Sequence, residues 1–403
     1  MIRLWFMKKL DYFVGIPLCF LLGTAGRLWS RIVWSGDERE IERILLIKSW
    51  GIGNLIILQP VVRGIRERYP SARIVFLTLS PNRGALDRNP DVDEAVYLDV
   101  SGVLRFFASS VRTIRRIRGL SFDWVLDFDQ FSRTTALLAW LSGGRRRAGL
   151  DTAGQGRGFV YTHRIPYNDH QHSYHTFNDV ARMIGVDCRD AAAVPMHLAP
   201  GDDERVQQFL ADCGVGEGDP IVGIHPGSGE NFPQRRWPID RFAEVGARLH
   251  REYGARIVFT GTPAERGLIA DALGRMPAGS AVDASGTLTL SQLAALMRRC
   301  AIFLSNDTAP IHLAAAMGTP CMGFYGPNTP VLYGPRLGPC HVFYKALPCS
   351  PCITNFNAKS SNCNDPVCMK RITVDEVMRE VVRMFAQTPD RGKNTEYAGA
   401  QNA

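Results

Sequence analysis

The residues best suited to binding an anion lie in the segment 305–320, Ser-Asn-Asp-Thr-Ala-Pro-Ile-His-Leu-Ala-Ala-Ala-Met-Gly-Thr-Pro. It follows the apolar run 301–304, which is typical of a buried strand. A short helix of small residues should follow, with Asp307 or Thr308 as its N-cap and Pro310 in its first turn. Because a helix N-terminus presents free N–H groups and a positive dipole end, the segment predicts a site for a phosphate-bearing ligand.

Two further loops of the second half carry groups that bind phosphates and sugars. The predicted strand 220–225 ends in Pro-Gly-Ser-Gly-Glu, a loop whose N–H groups could cradle a phosphate. Arg235 and Arg236 follow and could pair with a diphosphate, although the exposed start of a helix explains them as well. Glu265 follows the predicted strand 256–260, where a carboxylate commonly accepts hydrogen bonds from ribose hydroxyls. These three strand ends predict one pocket for a phosphorylated nucleoside.

Polar residues also follow predicted strands of the first half, at 43–48 and 124–129. Ser-Trp-Gly-Ile-Gly-Asn comes after the first strand, and its two glycines permit close approach of the backbone to a ligand. A tight turn without a ligand explains these glycines nearly as well. Asn54, Asp127 and Asp129 should lie at the carboxyl ends of parallel strands, which is where such sheets bind ligands.

Histidines occupy three positions of the polar stretch 170–175. Their spacing is poor for a structural metal site, so loop or surface histidines are the simplest interpretation. His172 or His175 could alternatively act as a general base, because imidazole titrates near neutral pH.

The bulk composition is that of a globular protein long enough for two domains. The chain has 403 residues, of which 45% are hydrophobic and 21% are charged. Its formal net charge of +8 favours an anionic partner: nucleic acid, anionic lipid or a phosphorylated glycan. No basic-aromatic nucleic-acid module is present, so we predict no nucleic-acid partner. The basic cluster 145–147 is typical of a solvated face, with an anionic acceptor or a membrane surface as the alternative.

The ten cysteines fall into two groups. Five are scattered and are predicted to be reduced and buried: Cys19, Cys188, Cys213, Cys300 and Cys321. The others crowd into residues 340–368, which indicates a cytosolic protein with one local cysteine-based feature. Four of these thiols have spacing that suits tetrahedral Zn²⁺: Cys349, Cys352, Cys363 and Cys368. Free thiols, disulfides or an iron–sulfur cluster are the alternatives.

The N-terminal segment 1–35 predicts association with a membrane. Its apolar run 12–25 is flanked by lysines and arginines and is shorter than the roughly 20 residues of a membrane span. Pro17 should break or kink a helix there. Tryptophans and basic residues suit the headgroup region, so we expect an interfacial or re-entrant anchor on the cytoplasmic face of the inner membrane. A helix packed on the protein's own core is the alternative.

The elements that position these residues alternate between strand and helix. Predicted strands at 43–48, 73–79 and 124–129, with a turn and a further strand within 89–97, are interleaved with helices at 55–69 and 103–118. This alternation indicates an α/β protein with a doubly wound parallel sheet. A polar linker at 199–203 precedes a second series, with strands at 220–225 and 256–260 and helices at 239–253 and 290–299. We expect domains at 41–198 and 204–385 and a flexible tail at 386–403.

Together these motifs resemble glycosyltransferase family 9, the ADP-heptose:lipopolysaccharide heptosyltransferases and their relatives. The matching residues are His225-Pro-Gly-Ser, Arg236-Trp-Pro, Arg241-Phe-Ala, Gly261-x-Pro-Ala-Glu265, the run from Asn306 to Pro320, and Phe324-x-Gly-Pro327. The resemblance covers about residues 41–385. It implies a GT-B fold, with two facing Rossmann-like domains, and an inverting transfer that requires no metal ion.

The resemblance also implies roles for individual residues of the second half. Glu265 would hold the ribose, and Leu288 would lie near the nucleoside. The donor's diphosphate and sugar would be surrounded by Gly227, Ser228, Arg235, Asp307, Thr308, Ala309 and His312.

One position departs from the family pattern. Relatives carry Gly-Asp in the first strand–helix turn, with the aspartate as general base, whereas this chain has Gly53-Asn54. An amide cannot take a proton at neutral pH, so Asn54 could only orient the acceptor. The base would then be another residue; the candidates are Asp127, Asp129, His172, His175 and Glu230.

We therefore expect a glycosyltransferase that moves a sugar, by resemblance heptose from ADP-heptose, to a lipopolysaccharide or other lipid-linked glycan acceptor. The alternative is a protein of the same fold that binds nucleotide sugars or glycans without catalysis. A nucleotide-sugar epimerase or dehydrogenase is disfavoured, because neither Gly-x-Gly-x-x-Gly nor a Tyr-x-x-x-Lys pair supports it.

Overall fold

The computed structural model describes residues 11–24, 40–229, 232–336, 338–357 and 361–386. It divides into two compact units, Met1–Ala192 and Ala193–Ala403, with the division just before the predicted linker. Each unit contains a six-stranded sheet in which every described strand pair is parallel. The predicted α/β architecture is therefore confirmed.

The first unit has the strand order β3-β2-β1-β4-β5-β6. Its strands are β1 (Arg43–Ile47), β2 (Arg73–Leu79), β3 (Glu94–Leu98), β4 (Trp124–Asp127), β5 (Arg146–Asp151) and β6 (His163–Pro166). Its helices are α1, whose described part is residues 11–24, then α2 (Ile52–Arg68), α3 (Val103–Arg118), α4 (Arg133–Leu141) and α5 (Ser173–Ala181). The order reverses between β1 and β4, and polar residues at such a point meet at the carboxyl edge of the sheet.

Two apolar layers cover the opposite faces of this sheet. On one face, alternate strand residues such as Ile44 and Phe76 pack with α2 and α5. On the other face, Leu45 and Leu77 pack with α3, α4 and Cys19 of α1. Burial on both faces explains why the parallel strands read as continuous apolar runs in the sequence.

The second unit repeats this topology with the order β12-β11-β10-β7-β8-β9. Its strands are β7 (Ile221–His225), β8 (Arg256–Phe259), β9 (Ala281–Asp283), β10 (Cys300–Asn306), β11 (Cys321–Tyr325) and β12 (Cys340–Tyr344). Its helices are α6 (Asp202–Asp212), α7 (Ile239–Tyr253), α8 (Arg266–Gly274), α9 (Leu290–Arg299), α10 (Ala309–Ala316), α11 (Pro330–Tyr333), α12 (Val367–Lys370) and α13 (Val374–Ala386).

An aromatic cluster anchors the loop that precedes α7. The Trp237 ring stacks on Phe324 of β11 with ring centroids 4.5 Å apart, and Phe242 packs edge-on against both rings. The indole Nε1–H donates to the Ile372 carbonyl at 2.9 Å, so the polar end of this buried side chain is also satisfied. The cluster fixes the start of α7, and with it the arginines just before it.

The described part of the N-terminal segment is a helix packed on the first unit. Gly15, Cys19 and Gly23 form its buried face, and a Cβ on Gly23 would lie 2.2 Å from the Phe159 carbonyl oxygen. The Asp11 carboxylate accepts hydrogen bonds from the N–H groups of Arg133 and Thr134 at the start of α4. Packing on the protein's own core is thus present, and no helix among the described residues is long and apolar enough to cross a membrane.

The helix continues through Pro17, so this residue does not break it, and the kink that was the other predicted effect stays a prediction. Pro17 lies on the exposed side of the helix, where water can replace the hydrogen bond that a proline removes. The rest of the predicted anchor, residues 1–10 and 25–35, lies outside the described residues, as do residues 387–403 of the predicted tail.

The basic cluster at 145–147 begins a strand and is not a uniformly solvated face. Arg147 donates from Nε to the Val160 carbonyl at 2.9 Å and from Nη1 to the Gly144 carbonyl at 2.8 Å. Arg146 lies over the Trp124 ring, 5.6 Å from its centroid. These contacts hold β5 to its neighbours, a role that the charge run did not indicate.

Candidate functional site

The predicted anion-binding helix is α10, at the carboxyl end of β10. Thr308 occupies its N-cap position, but its side chain does not cap the helix. The Thr308 hydroxyl instead donates to the Asn306 carbonyl at 3.3 Å and meets the Ser305 hydroxyl at 3.3 Å. Pro310 lies in the first turn as predicted. The N-terminus of α10 therefore keeps its dipole without a side-chain cap from Thr308, which suits an anionic ligand.

An arginine lies beside this helix start. Arg235 Nη1 donates to the Asp307 carbonyl at 2.8 Å and lies 3.1 Å from Asp307 Oδ2. Its guanidinium is stacked over the Phe232 ring, 4.2 Å from the centroid. Arg235 Nε is buried and has no hydrogen-bond partner among the described residues. Since Asn328 Nδ2 also donates to Asp307 Oδ2, at 2.8 Å, the carboxylate holds the guanidinium in one orientation.

Asn306 joins the two loops that carry these groups. Its Oδ1 accepts the Trp237 N–H at 2.9 Å, and its Nδ2 donates to the Pro226 carbonyl at 2.8 Å. The side chain is completely buried. The Gly-Ser loop, the arginine segment and the start of α10 are therefore brought together, as their positions at strand ends predicted.

Glu265 is hydrogen-bonded to the Gly-Ser loop. Its Oε1 accepts the Gly229 N–H at 3.1 Å, and its Oε2 accepts the Thr262 N–H at 2.9 Å. A Cβ on Gly227 would lie 2.0 Å from Glu265 Oε1, so any larger residue there would displace this carboxylate. Burial alone would raise the pKa of Glu265, but the N–H groups of Thr262 and Gly229 and nearby His225 hold it below its ordinary value. The carboxylate is thus ionised although it is 3% exposed.

The remaining predicted donor residues surround this carboxylate and the start of α10. Ser228 donates its hydroxyl to the Phe232 carbonyl at 2.7 Å and accepts from Arg236 Nε at 3.2 Å, so it is used within the loop. His312 is buried in the first half of α10. Leu288 is half-buried and follows the turn in which the Gly286 N–H donates to the Gly261 carbonyl at 2.8 Å. That contact places Leu288 near the loop that carries Glu265.

In the first unit, Asp129 is committed to a buried network. Its Oδ1 lies 2.7 Å from Lys48 Nζ, and its Oδ2 accepts from the Ser49 N–H at 2.7 Å and the Ser49 hydroxyl at 2.6 Å. Asn82 Nδ2 adds a bond to the Ser49 carbonyl at 2.7 Å. Burial alone would raise the pKa of Asp129, but Lys48 and Ser49 hold it below its ordinary value. A carboxylate so held is a weak base.

Asp127 is even less accessible to solvent than Asp129. Its Oδ2 accepts from Arg157 Nη2 at 2.8 Å and from the Tyr161 hydroxyl at 2.6 Å, and its Oδ1 accepts the Asp129 N–H at 2.9 Å. Neither the Asp127 nor the Arg157 side chain is accessible to solvent. Burial raises the pKa of Asp127, although the Arg157 guanidinium acts in the opposite direction. The geometry indicates that this pair holds the strand end together.

Asn54 lies in the first turn of α2, where relatives would carry the aspartate. Its Nδ2 donates to the Trp50 carbonyl at 3.3 Å, and the side chain is half-buried. Gly51 adopts φ +86° at the N-cap position and provides no side chain to cap the helix. The start of α2 therefore resembles that of α10 in lacking a side-chain cap.

The two candidate histidines lie at the start of α5. His172 is its N-cap, and Nδ1 accepts the Tyr174 N–H at 3.1 Å. His175 is half-buried in the first turn. Helices α2 and α5 pack together on the same face of the sheet, so their first turns share the carboxyl edge. Glu230, the other candidate base, lies outside the described residues.

The cysteine-rich loop brings its thiols into one neighbourhood. Burial raises the pKa of Cys368 to about 11, and Cys349, Cys352 and Cys363 act electrostatically in the same direction. Among the residues that the structure describes, no three His, Cys, Asp or Glu side chains are grouped to hold a metal ion. The zinc site stays a prediction, which metal analysis of anaerobically purified protein would test. Of the scattered cysteines, Cys19, Cys188, Cys300 and Cys321 are buried and Cys213 is half-buried.

Several residues that build these sites were not among the predicted ones. Lys48, Arg157 and Tyr161 neutralise or cover the carboxylates of the first unit, and Asn328 orients Asp307. Arg157 lies 30 residues from Asp127 along the chain, with no motif to connect them. Asn306 belongs to the segment that predicted the anion site, but its role in joining two loops was not predicted.

Comparison with known proteins gives a consistent result. A family model described as Glycosyltransferase family 9 (heptosyltransferase) matches residues 110–361, more than half of the chain. Lipopolysaccharide heptosyltransferase 2 of Salmonella typhimurium is 27% identical over 304 residues, which cover 72% of this chain and 84% of that protein.

Solved structures share the fold. The crystal structure of a family 9 glycosyltransferase from Veillonella parvula has a TM-score of 0.74 at 23% identity, covering 87% of this chain and 99% of that one. The ADP-heptose lipopolysaccharide heptosyltransferase II of E. coli has a TM-score of 0.67 at 19% identity, covering 86% of this chain and 99% of that one.

Proposed function

Because the chain belongs to glycosyltransferase family 9, we propose that it transfers heptose from ADP-heptose to a lipopolysaccharide core or another lipid-linked glycan acceptor. The observation that carries this proposal is Arg235, which Asp307 holds beside the start of α10 while its side chain keeps partial access to solvent. A guanidinium in this position suits a diphosphate, the group that the donor loses in the reaction.

The second unit would stabilise that leaving group without a metal ion. Negative charge develops on the diphosphate as the glycosidic bond breaks, and preorganised donors at that position lower the barrier. Arg235 supplies positive charge, and the first turn of α10 supplies N–H groups and the positive end of its dipole. The proposed transfer is therefore metal-independent.

Glu265 would bind the ribose of the donor. Each of its oxygens already accepts N–H groups of the surrounding loops, and a carboxylate oxygen has capacity for a further hydrogen bond. Its lowered pKa keeps it ionised and thus able to accept from hydroxyls at neutral pH. The same contacts hold Gly227–Gly229 in place, so Glu265 would both shape the loop and bind the sugar.

On the acceptor side, we assign the general base to His175. Asp127 and Asp129 are buried and saturated with donors, and Nδ1 of His172 is used as the cap of α5. His175 shares the carboxyl edge of the sheet with Asn54, whose amide would orient the acceptor hydroxyl. Imidazole has the pKa range that a base needs near neutral pH.

The proposed step is a single displacement. The acceptor oxygen forms a bond to the anomeric carbon as the bond from that carbon to the diphosphate oxygen breaks. The hydroxyl proton passes to His175, and the electron pair leaves with ADP. Attack from the face opposite the leaving group inverts the configuration.

Helix α1 would attach the protein to the cytoplasmic face of the inner membrane as a peripheral protein. Its buried face is fixed on the first unit, and its outer face exposes apolar side chains, among them Phe13, Phe20 and Leu21. The acceptor class proposed here is lipid-linked, so attachment at the membrane surface would bring enzyme and acceptor together.

The transfer is tested by incubating the purified full chain with ADP-heptose and a heptose-deficient lipopolysaccharide. We expect ADP release that depends on the acceptor, together with a gain of one heptose in the acceptor's mass. UDP-glucose and GDP-mannose serve as control donors and should give at least about tenfold slower release. Equal or faster release from a control donor would overturn the donor assignment.

Binding without catalysis is the second candidate function, because Asn54 replaces the acidic residue of the resemblance. The ADP-release assay distinguishes glycosyl transfer from binding without catalysis. Stabilisation of the fold by ADP-heptose, without ADP release in the presence of any tested acceptor, would favour the binding protein.

A further inference from the structure

Helix α3 carries an apolar stripe on its outer face. Leu104 is 84% exposed, and Phe107 and Val111, one and two turns further on, are 52% and 49% exposed. Their spacing places them on one side of the helix. The opposite side, with Phe106 and Ile117, packs into the core of the first unit. An exposed row of large apolar side chains of this kind marks an interaction surface.

The charge of the same helix is entirely positive. Its sequence, VLRFFASSVRTIRRIR, contains five arginines and no acidic residue. Arg116 is paired with Glu94, whereas Arg112 and Arg115 are exposed, and Arg115 lies one turn beyond Val111 on the same side of the helix. A helix with apolar side chains at one end of its outer face and arginines at the other suits an interface between hydrocarbon and anionic headgroups.

Helix α1 presents a second apolar face. Phe13 is 69% exposed and Leu21 is 62% exposed, while Gly15, Cys19 and Gly23 face the protein. The glycines pack tightly against Arg133 and Phe159, which fixes the side of the helix that faces the protein. In sequence, lysines precede this helix and arginines follow it.

Both helices lie on the same side of the first sheet. Cys19 of α1, Ile117 of α3 and Ala136 of α4 belong to one apolar layer, and the layer on the opposite face contains α2 and α5. Helix α4 contacts α3 on one flank, and its first residues bind Asp11 of α1 on the other. The two exposed apolar faces therefore flank α4 on one surface.

We propose that α3 and α1 together form a docking face for an anionic phospholipid bilayer. Leu104, Phe107 and Val111 enter the headgroup region, and Arg112 and Arg115 bind lipid phosphates. Because α3 contains no acidic residue, an anionic bilayer suits this face better than a second copy of this chain would. A second copy would bring the same positive charge to the contact. This inference rests on the membrane attachment proposed above and adds α3 to the surface that contacts the membrane. It does not depend on glycosyl transfer.

The test is flotation of the full chain with vesicles of phosphatidylethanolamine and phosphatidylglycerol, compared with vesicles of phosphatidylcholine alone. Wild type should bind the anionic vesicles, and added salt should weaken that binding. The double variant Leu104→Gln/Phe107→Gln should lower the bound fraction at least about tenfold. Arg112→Gln/Arg115→Gln should lower the affinity about fivefold per arginine, for anionic vesicles only.

Matched controls come from the second unit. Val331→Gln/Phe356→Gln removes apolar side chains of similar exposure, and Arg251→Gln/Arg379→Gln removes two exposed arginines. Both controls should bind vesicles like wild type. Thermal unfolding confirms that each variant is folded, which is expected because the substituted side chains face solvent.

Three outcomes would overturn the proposal. The α3 variants could bind vesicles like wild type, or the control variants could lose as much binding as the α3 variants. Alternatively, the α3 variants could change the sedimentation coefficient while vesicle binding persists, which would make this face a contact between copies. ADP release with a soluble oligosaccharide acceptor, measured separately, shows whether the proposed transfer fails independently of docking.

Discussion

The fourth strand of each unit ends beside an arginine–aspartate pair, and the two pairs differ in their access to water. At the end of β4, the side chains of Arg157 and Asp127 are both 0% exposed, and Tyr161 donates to the same carboxylate oxygen. After β10, Arg235 is 17% exposed and Asp307 is 5% exposed. The same topology thus provides a sealed pair in the first unit and an open pair in the second.

The difference shows how one topological position can serve structure or binding. A sealed pair must satisfy its own charges, so it stabilises the strand ends and is unavailable to a ligand. An open pair holds a guanidinium in a fixed orientation while one edge remains able to meet an anion. Carboxylates at strand ends therefore indicate a site only when the structure leaves their partners accessible.

The largest effect should come from breaking the sealed pair. Asp127→Ala leaves the Arg157 guanidinium buried without its carboxylate, and we expect a loss of about 3–5 kcal/mol in the free energy of unfolding. Urea denaturation followed by circular dichroism measures it. Asp307→Ala is the comparison variant and should lose less, because water can reach Arg235. Equal losses would mean that the two pairs do not differ as described.

Arg235→Ala should affect activity and leave the fold intact. Removing the proposed partner of the leaving diphosphate should lower kcat/KM for ADP-heptose about 10²–10³-fold. Arg248→Ala is the control, because Arg248 pairs with Glu244 and Asp375 at the surface. If both variants retained wild-type kcat/KM, the open pair would have no role in the donor site.

His175→Gln tests which group of the first unit serves as base. We expect kcat to fall about 10²-fold, with loss of the acid limb of its pH dependence. His172→Gln should cost roughly 1 kcal/mol of stability through the lost cap and should keep the acid limb. The pH dependence of kcat distinguishes them, and the reverse pattern would move the base to His172.

The smallest effect concerns the pH dependence of stability. The pKa of Asp129 is lower in the folded protein than in the unfolded chain, so its contribution is full above the unfolded value of about 3.9. That contribution is lost as the pH falls through the folded pKa. The difference in unfolding free energy between wild type and Asp129→Asn should therefore be constant near neutral pH and shrink below about pH 4.

Urea titrations at a series of pH values measure this difference. Asp203→Asn is the control, because Asp203 forms an exposed pair with Arg298. Its contribution should be close to zero throughout. A difference for Asp129 that grew on acidification would contradict the ion-paired carboxylate described here.

Local patterns predicted most of the fold. The helices at 103–118, 239–253 and 290–299 have the bounds that their apolar periodicity indicated. The apolar runs gave the buried strands, since parallel strands covered on both faces need continuous apolar sequence. Pro17 does not end its helix, because a proline on an exposed helix face removes a hydrogen bond that water can replace.

The sequence by itself determined the two α/β units and the strand ends where polar residues gather, because periodicity and glycine placement act over a few neighbouring residues. Tertiary structure alone decided which carboxylates are accessible enough to act as a base. Their sequence positions made Asp127 and Asp129 candidates for a base. In the structure both are bound by residues distant in sequence: Arg157 and Tyr161 at Asp127, and Lys48 at Asp129. Burial and ion pairing depend on contacts between segments far apart along the chain, and such contacts leave no local pattern to read.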